Sequence, residues 1–175
     1  MAPNEVAWLS RQPFSYEPVG ATRGPSYPPG FHHLEVRREV GRGDAAYTYA
    51  VESLMAWQMH ARAGLRVHAS TALVAEGTVV RCMLGPLRVP CRVVWVEAGE
   101  DSLGFGYGTL PGHPQTGEEA FVVSREGDRV LLTVRAYSNP GIRVTRLGGP
   151  AGRAGQRWMV RRYADALRLR HAGHG

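Results

Sequence analysis

The most informative part of the sequence is Gly104-Phe105-Gly106-Tyr107-Gly108-Thr109-Leu110-Pro111-Gly112-His113-Pro114, where glycine alternates with larger residues before a proline-rich turn. This alternation is typical of a strongly bent β-strand, where the missing side chains permit curvature and the close approach of another chain segment. Phosphate-binding glycine loops need a helix directly behind them, whereas this stretch continues into prolines and another strand-like run. It therefore predicts a bent strand with Phe105, Tyr107 and Thr109 on one face, and it argues against a nucleotide-binding loop.

Strand-like runs with a two-residue period lie on both sides of this bent strand. Turns such as Glu76-Gly77 and Glu126-Gly127-Asp128 separate them, and such short connections join antiparallel neighbours. The predicted strands are residues 31–40, 65–74, 78–84, 91–96, 103–109, 119–124 and 129–138.

Two segments have the period of an amphipathic helix instead. Residues 45–63 repeat apolar side chains at intervals of three and four. Residues 156–169 do the same, and Arg161 and Asp165 are spaced to pair across one turn. The order predicts an α+β fold: a strongly curved antiparallel sheet of about seven strands, with a helix after strand 1 and a long C-terminal helix over one face. This arrangement resembles the helix-grip fold of START and Bet v 1-like proteins, which leaves an interior cavity.

The length and hydrophobic content indicate one domain. A chain of 175 residues with 43% hydrophobic residues can form a core of its own. Residues 1–30 are rich in proline and glycine and are expected to be extended. We predict a flexible N-terminal arm over residues 1–13, a single domain over residues 14–170 and a frayed tail over residues 171–175.

The composition excludes several classes of protein. All 21 basic residues are arginine, so a Schiff-base or P-loop lysine is impossible. The net charge of +6 comes from scattered arginines, and we expect no nucleic-acid partner. No apolar run is long enough to span a membrane, and residues 1–11 lack the pattern of a secretory signal. We therefore expect a cytoplasmic protein.

The two cysteines flank a predicted hairpin. A hairpin that pairs Leu84 with Val89 would place Cys82 directly opposite Cys91. In a reducing compartment we expect both to remain buried thiols that pack as small hydrophobic side chains.

Residues 104–123, GFGYGTLPGHPQTGEEAFVV, resemble the signature of the DUF1990 domain, also called protein family 0548. Further matching pieces follow the same order along the chain. They are Tyr16-Glu17-Pro18-Val19-Gly20-Ala21-Thr22-Arg23, Trp57-Gln58-Met59-His60, Pro90-Cys91-Arg92-Val93-Val94, Ala136-Tyr137-Ser138, Gln156 and Arg161-Arg162-Tyr163. The resemblance covers residues 14–167, so the chain is identified as a member of this family. Membership implies no activity, cofactor or partner.

His113 is the candidate acid–base residue. It stands in a Pro-Gly-His-Pro turn, and Glu118 or Glu119 could orient its imidazole for proton transfer. The alternative is a rigid loop whose histidine makes a backbone hydrogen bond, since no nucleophile accompanies the pair. The seven histidines and two cysteines show no metal-ligand spacing. We therefore predict no metal and no cofactor.

Polar residues on two other elements bear on a binding site. Trp57 and His60 lie three apart on the first predicted helix, and we expect Trp57 in the core and His60 hydrogen-bonded at its edge. Arg135 and Tyr137 share a face of the last strand. If that face is interior, Arg135 needs a partner such as Glu118, Glu119 or an anionic ligand. Otherwise the face is exposed to solvent.

These residues favour a binding protein over an enzyme. The predicted function is to hold a small amphipathic or acidic molecule between the curved sheet and the C-terminal helix. Two alternatives stay open: an enzyme that uses His113 with Glu118 or Glu119 as general acid/base in the same cavity, and a non-catalytic protein–protein interaction module. The predicted ligand-binding residues are Phe105, Tyr107, His113, Arg135, Tyr137, Trp158 and Arg161.

Overall fold

Strands with a two-residue period fold into one antiparallel sheet of seven strands. The structure is a computed structural model that describes residues 1–140 and 149–169, so the tail predicted at residues 171–175 lies outside the described residues. The elements are α1 (Pro3–Arg11), a 3₁₀ turn (Ala21–Arg23), β1 (His32–Arg42), α2 (Gly43–Met55), α3 (Gln58–Arg62), β2 (Arg66–Ala69), β3 (Val79–Leu84), β4 (Leu87–Ala98), β5 (Ser102–Thr109), β6 (Gln115–Glu126), β7 (Arg129–Pro140) and α4 (Gly149–Ala166).

The sheet follows the chain as a meander. Its order is β1-β7-β6-β5-β4-β3-β2, so β1 pairs with β7 at one edge and β2 forms the other edge. Helices α2 and α3 connect these two edges. Register shifts between Glu39 and Gly41 and between Val93 and Trp95 interrupt the ladders, and such bulges bend a sheet. The predicted α+β helix-grip architecture is confirmed.

The core lies between the helices α2, α3 and α4 and one face of the sheet, called the inner face below. Phe105 pairs with Phe121 in the β5–β6 ladder, and both side chains are fully buried. Tyr163 of α4 packs on Phe121 with a ring-centroid distance of 5.2 Å. Burial of such large aromatic side chains stabilises a fold strongly, so this contact joins the last helix to the centre of the sheet.

The predicted single helix at residues 45–63 is two helices. The break falls at Trp57, whose backbone adopts a left-handed conformation with φ of 61°, an uncommon state for a bulky residue. The change of direction places Trp57 against Phe105, with ring centroids 5.4 Å apart, and buries His60 completely. Packing of two aromatic rings in the core therefore overrides helix continuity.

Three further local predictions are wrong. Residues Pro3–Arg11 form α1 rather than an extended arm, because Leu9 is buried against Val79 and Leu110. The β3–β4 hairpin pairs Cys82 with Val89, two residues from the predicted register, so the cysteines are not directly opposite. Both are nevertheless free and buried, as expected. In the last helix, Asp165 pairs with Arg168 instead of Arg161.

Residues 14–24, called the N-terminal segment below, cover the other face of the sheet, called the outer face. Gly106 and Gly108 lie beneath it. A methyl group at Gly106 would approach the Trp95 ring carbon Cε2 to 2.6 Å, and one at Gly108 would approach Cζ of Tyr16 to 2.7 Å. The alternating glycines thus admit another chain segment against β5, as the sequence predicts.

The substitution Gly108→Ala is expected to lower the free energy of unfolding by about 2 kcal/mol, because overpacking forces Tyr16 away from the sheet. Gly24→Ala is the matched control, since its added methyl group meets only the Ala21 carbonyl oxygen at 3.7 Å. Guanidinium denaturation of both variants measures the difference. Equal stability of the two variants would show that β5 does not need its glycines.

Candidate functional site

A cavity of about 330 Å³ lies between the inner face and α4. It is bounded by five strands, the β5–β6 turn and the last helix. The lining residues are Leu65, Cys82, Leu84, Leu87, Val89, Tyr107, Thr109, His113, Pro114, Gln115, Gly117, Glu118, Glu119, Ala136, Ser138, Gly155, Gln156, Met159 and Tyr163. The lining residues of β3 and β4 are apolar or thiol side chains, whereas the amide, hydroxyl, imidazole and carboxyl groups come from β5, β6, β7, the β5–β6 turn and α4, so the cavity is amphipathic.

Glu119 provides the carboxyl group of the cavity. It lies in β6, where it pairs with Ala136 of β7, and it is partly buried. The Tyr107 hydroxyl donates a hydrogen bond to its Oε2 at 3.1 Å. Burial raises the pKa of Glu119 to about 7, against the opposing effect of this hydrogen bond. The group can therefore gain or lose a proton near neutral pH.

The predicted His113 also lines the cavity, and the β5–β6 turn fixes its ring. Nδ1 lies 2.9 Å from the backbone N–H of Gln115, which donates to it, and 2.8 Å from the carbonyl oxygen of the same residue. Burial lowers the pKa of His113 to about 4, so the imidazole is neutral at physiological pH. Within residues 1–140 and 149–169, no ion pair or hydrogen bond joins it to Glu118 or Glu119. The rigid-loop alternative describes this geometry.

Glu118 points to the opposite face and belongs to a different structure. Its carboxylate is only 3% exposed and accepts hydrogen bonds from the N-terminal segment. The Tyr16 hydroxyl and the Gly20 N–H each donate to Oε2 at 2.7 Å, while the N–H and the hydroxyl of Thr22 donate to Oε1. All of these donors come from the N-terminal segment. The hypothesis that Glu118 orients His113 is therefore wrong.

Arg135 and Tyr137 share this outer face, and neither expected environment is correct. The face is neither a cavity nor solvent-exposed, because the N-terminal segment covers it. Arg135 donates to the carbonyl oxygens of Thr22 and Gly24 at 3.1 and 2.6 Å and forms an ion pair with Glu35 at 3.2 Å. Tyr137 donates to the Pro18 carbonyl oxygen. Both side chains therefore hold the segment in place.

The other predicted lining residues are also distributed over different surfaces. Phe105 is fully buried in the core beneath the cavity. Trp158 is 51% exposed on α4, where the Arg162 guanidinium lies 4.9 Å from its ring centroid. Arg161 is exposed. Of the seven predicted ligand-binding residues, Tyr107 and His113 are the ones that line the cavity.

His60 is a further residue whose environment the sequence did not indicate. It is completely buried, and neither ring nitrogen has a hydrogen-bond partner among the described residues. Aromatic rings surround it, with Phe121 at 5.1 Å and Tyr163 at 5.3 Å between centroids. Burial lowers the pKa of His60 to about 3, so it is a neutral core residue. The prediction of a hydrogen-bonded histidine at the edge is wrong.

Two further features are absent from the described residues. No helix among them is long and apolar enough to cross a membrane. In the same part of the chain, no group of three or more histidine, cysteine, aspartate or glutamate side chains is arranged to hold a metal ion.

Comparisons with known sequences point to one family. The model described as "Domain of unknown function (DUF1990)" matches residues 15–166. A UPF0548 protein of Deinococcus radiodurans is 35% identical over 152 residues, which covers 78% of this chain and 76% of the relative. A UPF0548 protein of Arabidopsis thaliana is 27% identical over 152 residues, with coverage of 81% and 74%.

Solved structures agree on the fold. The hypothetical protein jhp0584 from Helicobacter pylori matches with a TM-score of 0.63 and 15% identity, over 82% of this chain and 94% of that one. Norcoclaurine synthase from Thalictrum flavum, in complex with dopamine and hydroxybenzaldehyde, matches with a TM-score of 0.52 and 10% identity, over 78% and 85%. The chain has the helix-grip fold of START and Bet v 1-like proteins.

We expect Glu118→Gln to lower the free energy of unfolding by about 3 kcal/mol, because the amide nitrogen cannot accept a hydrogen bond and leaves buried donors unpaired. Amide hydrogen exchange at Gly20 and Thr22 should accelerate with it. Glu126→Gln, at the half-exposed end of the same strand, removes only an exposed ion pair with Arg37 and is the control: it should lower the free energy of unfolding by no more than about 1 kcal/mol and leave exchange at Gly20 and Thr22 unchanged. Unchanged exchange in Glu118→Gln would contradict the assigned role.

Because His60 is buried and neutral, we expect it to make the folded protein less stable at low pH. Its pKa in the folded protein lies below its ordinary value of 6.5, so the unfolded chain binds more protons below pH 6.5. The free energy of unfolding is therefore unaffected by His60 protonation above pH 6.5. Below that pH it falls by about 1.4 kcal/mol per pH unit, down to about pH 3. The variant His60→Leu should lack this component.

The difference in unfolding free energy between His60→Leu and the wild type isolates this group, because Glu119 and His113 titrate in both proteins. We expect the difference to change by about 1.4 kcal/mol per pH unit between pH 6 and 4, which corresponds to one proton, and to stay constant between pH 7.5 and 8.5. A difference that is independent of pH throughout would mean that folding does not change the pKa of His60, and would contradict its burial as a neutral group.

Proposed function

The chain belongs to the DUF1990 family, and we propose that this member binds a small amphipathic molecule in the cavity between the sheet and α4. The observation that carries the proposal is the lining of the cavity. Leu65, Leu87, Val89 and Met159 supply apolar surface, while residues of β6, β7 and α4 supply polar groups. A concave site of this size, with apolar walls and a few oriented polar groups, is the ordinary form of a small-molecule site.

The polar groups of the lining are placed to orient a ligand by hydrogen bonding. Gln156 donates a hydrogen bond to the Ser138 hydroxyl at 3.2 Å, and its Nε2 lies 3.5 Å from the side-chain oxygen of Gln115. These three side chains come from α4, β7 and β6. Because they already contact one another, the helix and the strands hold them in fixed positions before a ligand arrives, which reduces the entropy lost on binding.

The charge of the lining supports an amphipathic ligand rather than an acidic one. An acidic ligand was expected because Arg135 was assigned to the cavity, and Arg135 instead binds the N-terminal segment. The described lining residues include no arginine, and they do include the carboxyl group of Glu119. An anionic ligand would therefore meet no compensating charge there.

An acid–base enzyme is the second candidate, and one observation favours it. Glu119 lies in the cavity with its pKa raised to about 7 by burial, which is the range in which a carboxyl group can act as a general acid or base. In this alternative Glu119 transfers the proton, and His113 hydrogen-bonds a substrate through its remaining ring nitrogen. The two functions use the same cavity, so ligand binding is common to both.

Binding can be tested with N-phenyl-1-naphthylamine, an uncharged fluorescent probe with a large apolar body. We expect its emission to rise with the wild-type protein and its affinity to fall about tenfold in Ala136→Leu, because leucine would occupy part of the cavity. Ala61→Leu is the control, since Ala61 is exposed on α3. Amide resonances of Ser138 and Gly117 should shift on binding in the wild type. Equal affinity in both variants would contradict the proposed site.

A further inference from the structure

We propose that the cavity selects an amphipathic amine, whose ammonium group pairs with the Glu119 carboxylate while its hydrocarbon body packs on the apolar wall. This inference rests on the proposed binding function and specifies the chemical class of the ligand. It follows from the charge state of the groups around Glu119 and from the hydrogen-bonding capacity that Glu119 retains.

Glu119 has no cationic partner among the side chains that the structure describes. The ion pairs formed by the side chains of residues 1–139 and 154–169 all involve other carboxylates. The Tyr107 hydroxyl supplies a hydrogen bond to Oε2. An ionised carboxylate can accept about four, so most of its capacity remains for a ligand in the cavity.

The titratable groups that face Glu119 are neutral. They come from four elements: Cys82 of β3, Cys91 of β4, Tyr107 of β5 and Tyr163 of α4. Burial raises the pKa of Cys82 to about 12 and raises those of the other three well above their ordinary values, and the charge of Glu119 adds to each increase. None of these groups can neutralise the carboxylate, because each of them stays uncharged at neutral pH.

The described lining residues include no cation that could pair with Glu119 in place of a ligand. The described lining residues include no arginine, and the imidazole of His113 is neutral because burial lowers its pKa to about 4. A buried carboxylate without a counter-ion is unfavourable, whereas a charged hydrogen bond from an ammonium group is among the strong ones. Binding of an amine therefore relieves a cost that a neutral molecule of the same shape leaves in place.

The apolar wall defines the remainder of the ligand. Leu65, Leu84, Leu87, Val89 and Met159 surround the same cavity as Glu119. A simple hydrated cation would gain nothing from these side chains, while an aromatic or aliphatic body would bury its surface against them. A small arylalkylamine combines both requirements.

The protonation of Glu119 gives the proposal a pH signature. Its pKa is raised to about 7, so the carboxylate form grows between pH 6 and 8. An alkylamine keeps its charge over that range, since amines of this kind lose their proton near pH 10. The affinity for the amine should therefore increase from pH 6 to pH 8, and the affinity for an uncharged analogue should not.

The experiment compares three probes with one body: 2-phenylethylamine, 2-phenylethanol and 3-phenylpropionate. Isothermal titration of the wild type at pH 8 should give the amine at least about tenfold tighter binding than the alcohol, and the carboxylate the weakest. Glu119→Gln should remove the preference for the amine and leave the affinity for the alcohol unchanged. Glu126→Gln, on the same strand and half exposed, should behave as the wild type.

A second variant keeps the test independent of the folding of Glu119→Gln. Tyr107→Phe removes the hydrogen bond that lowers the pKa of Glu119, so the pH at which amine affinity is half-maximal should move upward. Equal binding of amine and alcohol to the wild type, or an amine preference that survives Glu119→Gln, would overturn the inference while the binding function stands. Failure of the amine, the alcohol and the uncharged naphthylamine probe to bind would instead remove the binding function.

Discussion

The buried Glu118 carboxylate is the interaction on which the arrangement of this protein depends. Its two oxygens accept hydrogen bonds from Tyr16, Gly20 and Thr22, so one side chain fixes the N-terminal segment across the outer face of the sheet. Because successive residues of a strand point to opposite faces, a Glu118 held on the outer face turns Glu119 to the inner face. Two adjacent carboxyl groups of one strand therefore have different roles: Glu118 holds the N-terminal segment, and Glu119 lies in the cavity.

Local pattern was enough to predict the sheet and its partner helix, but not the path of the N-terminal segment. Period-two runs and short turns determine which strands pair, and the structure has those strands with bounds that differ by a few residues. The segment lies where it does because of contacts between residues about a hundred positions apart, such as Ser15 with Thr109 and Thr22 with Glu118. No sequence period records such a contact. The left-handed Trp57 is a similar case, since core packing rather than helix propensity decides it.

The same reason explains which candidate site residues were predicted correctly. Tyr107 and His113 lie in the cavity because they follow from the bent strand and its turn, which are local features. Arg135 was placed on the wrong side because its alternation with Val134 was visible and the cover over its face was not. Two of the motifs that carry the family resemblance meet at this cover: the piece at residues 16–23 binds Glu118 of the piece at residues 104–123. This contact closes the outer face of the fold, while other residues of the same motifs, such as Tyr107 and Gln156, line the cavity.

The cavity and the core beneath it form one electrostatic environment. His60 stays neutral because burial lowers its pKa, and Glu119 approaches neutrality because burial raises its pKa. Tyr107 and Tyr163 pack on His60, and the Tyr107 hydroxyl binds Glu119, so these rings join the two groups. Below its pKa of about 7, Glu119 keeps its proton and the cavity carries no buried charge. A cationic ligand changes that balance, because the ion pair it forms favours the carboxylate and releases the proton.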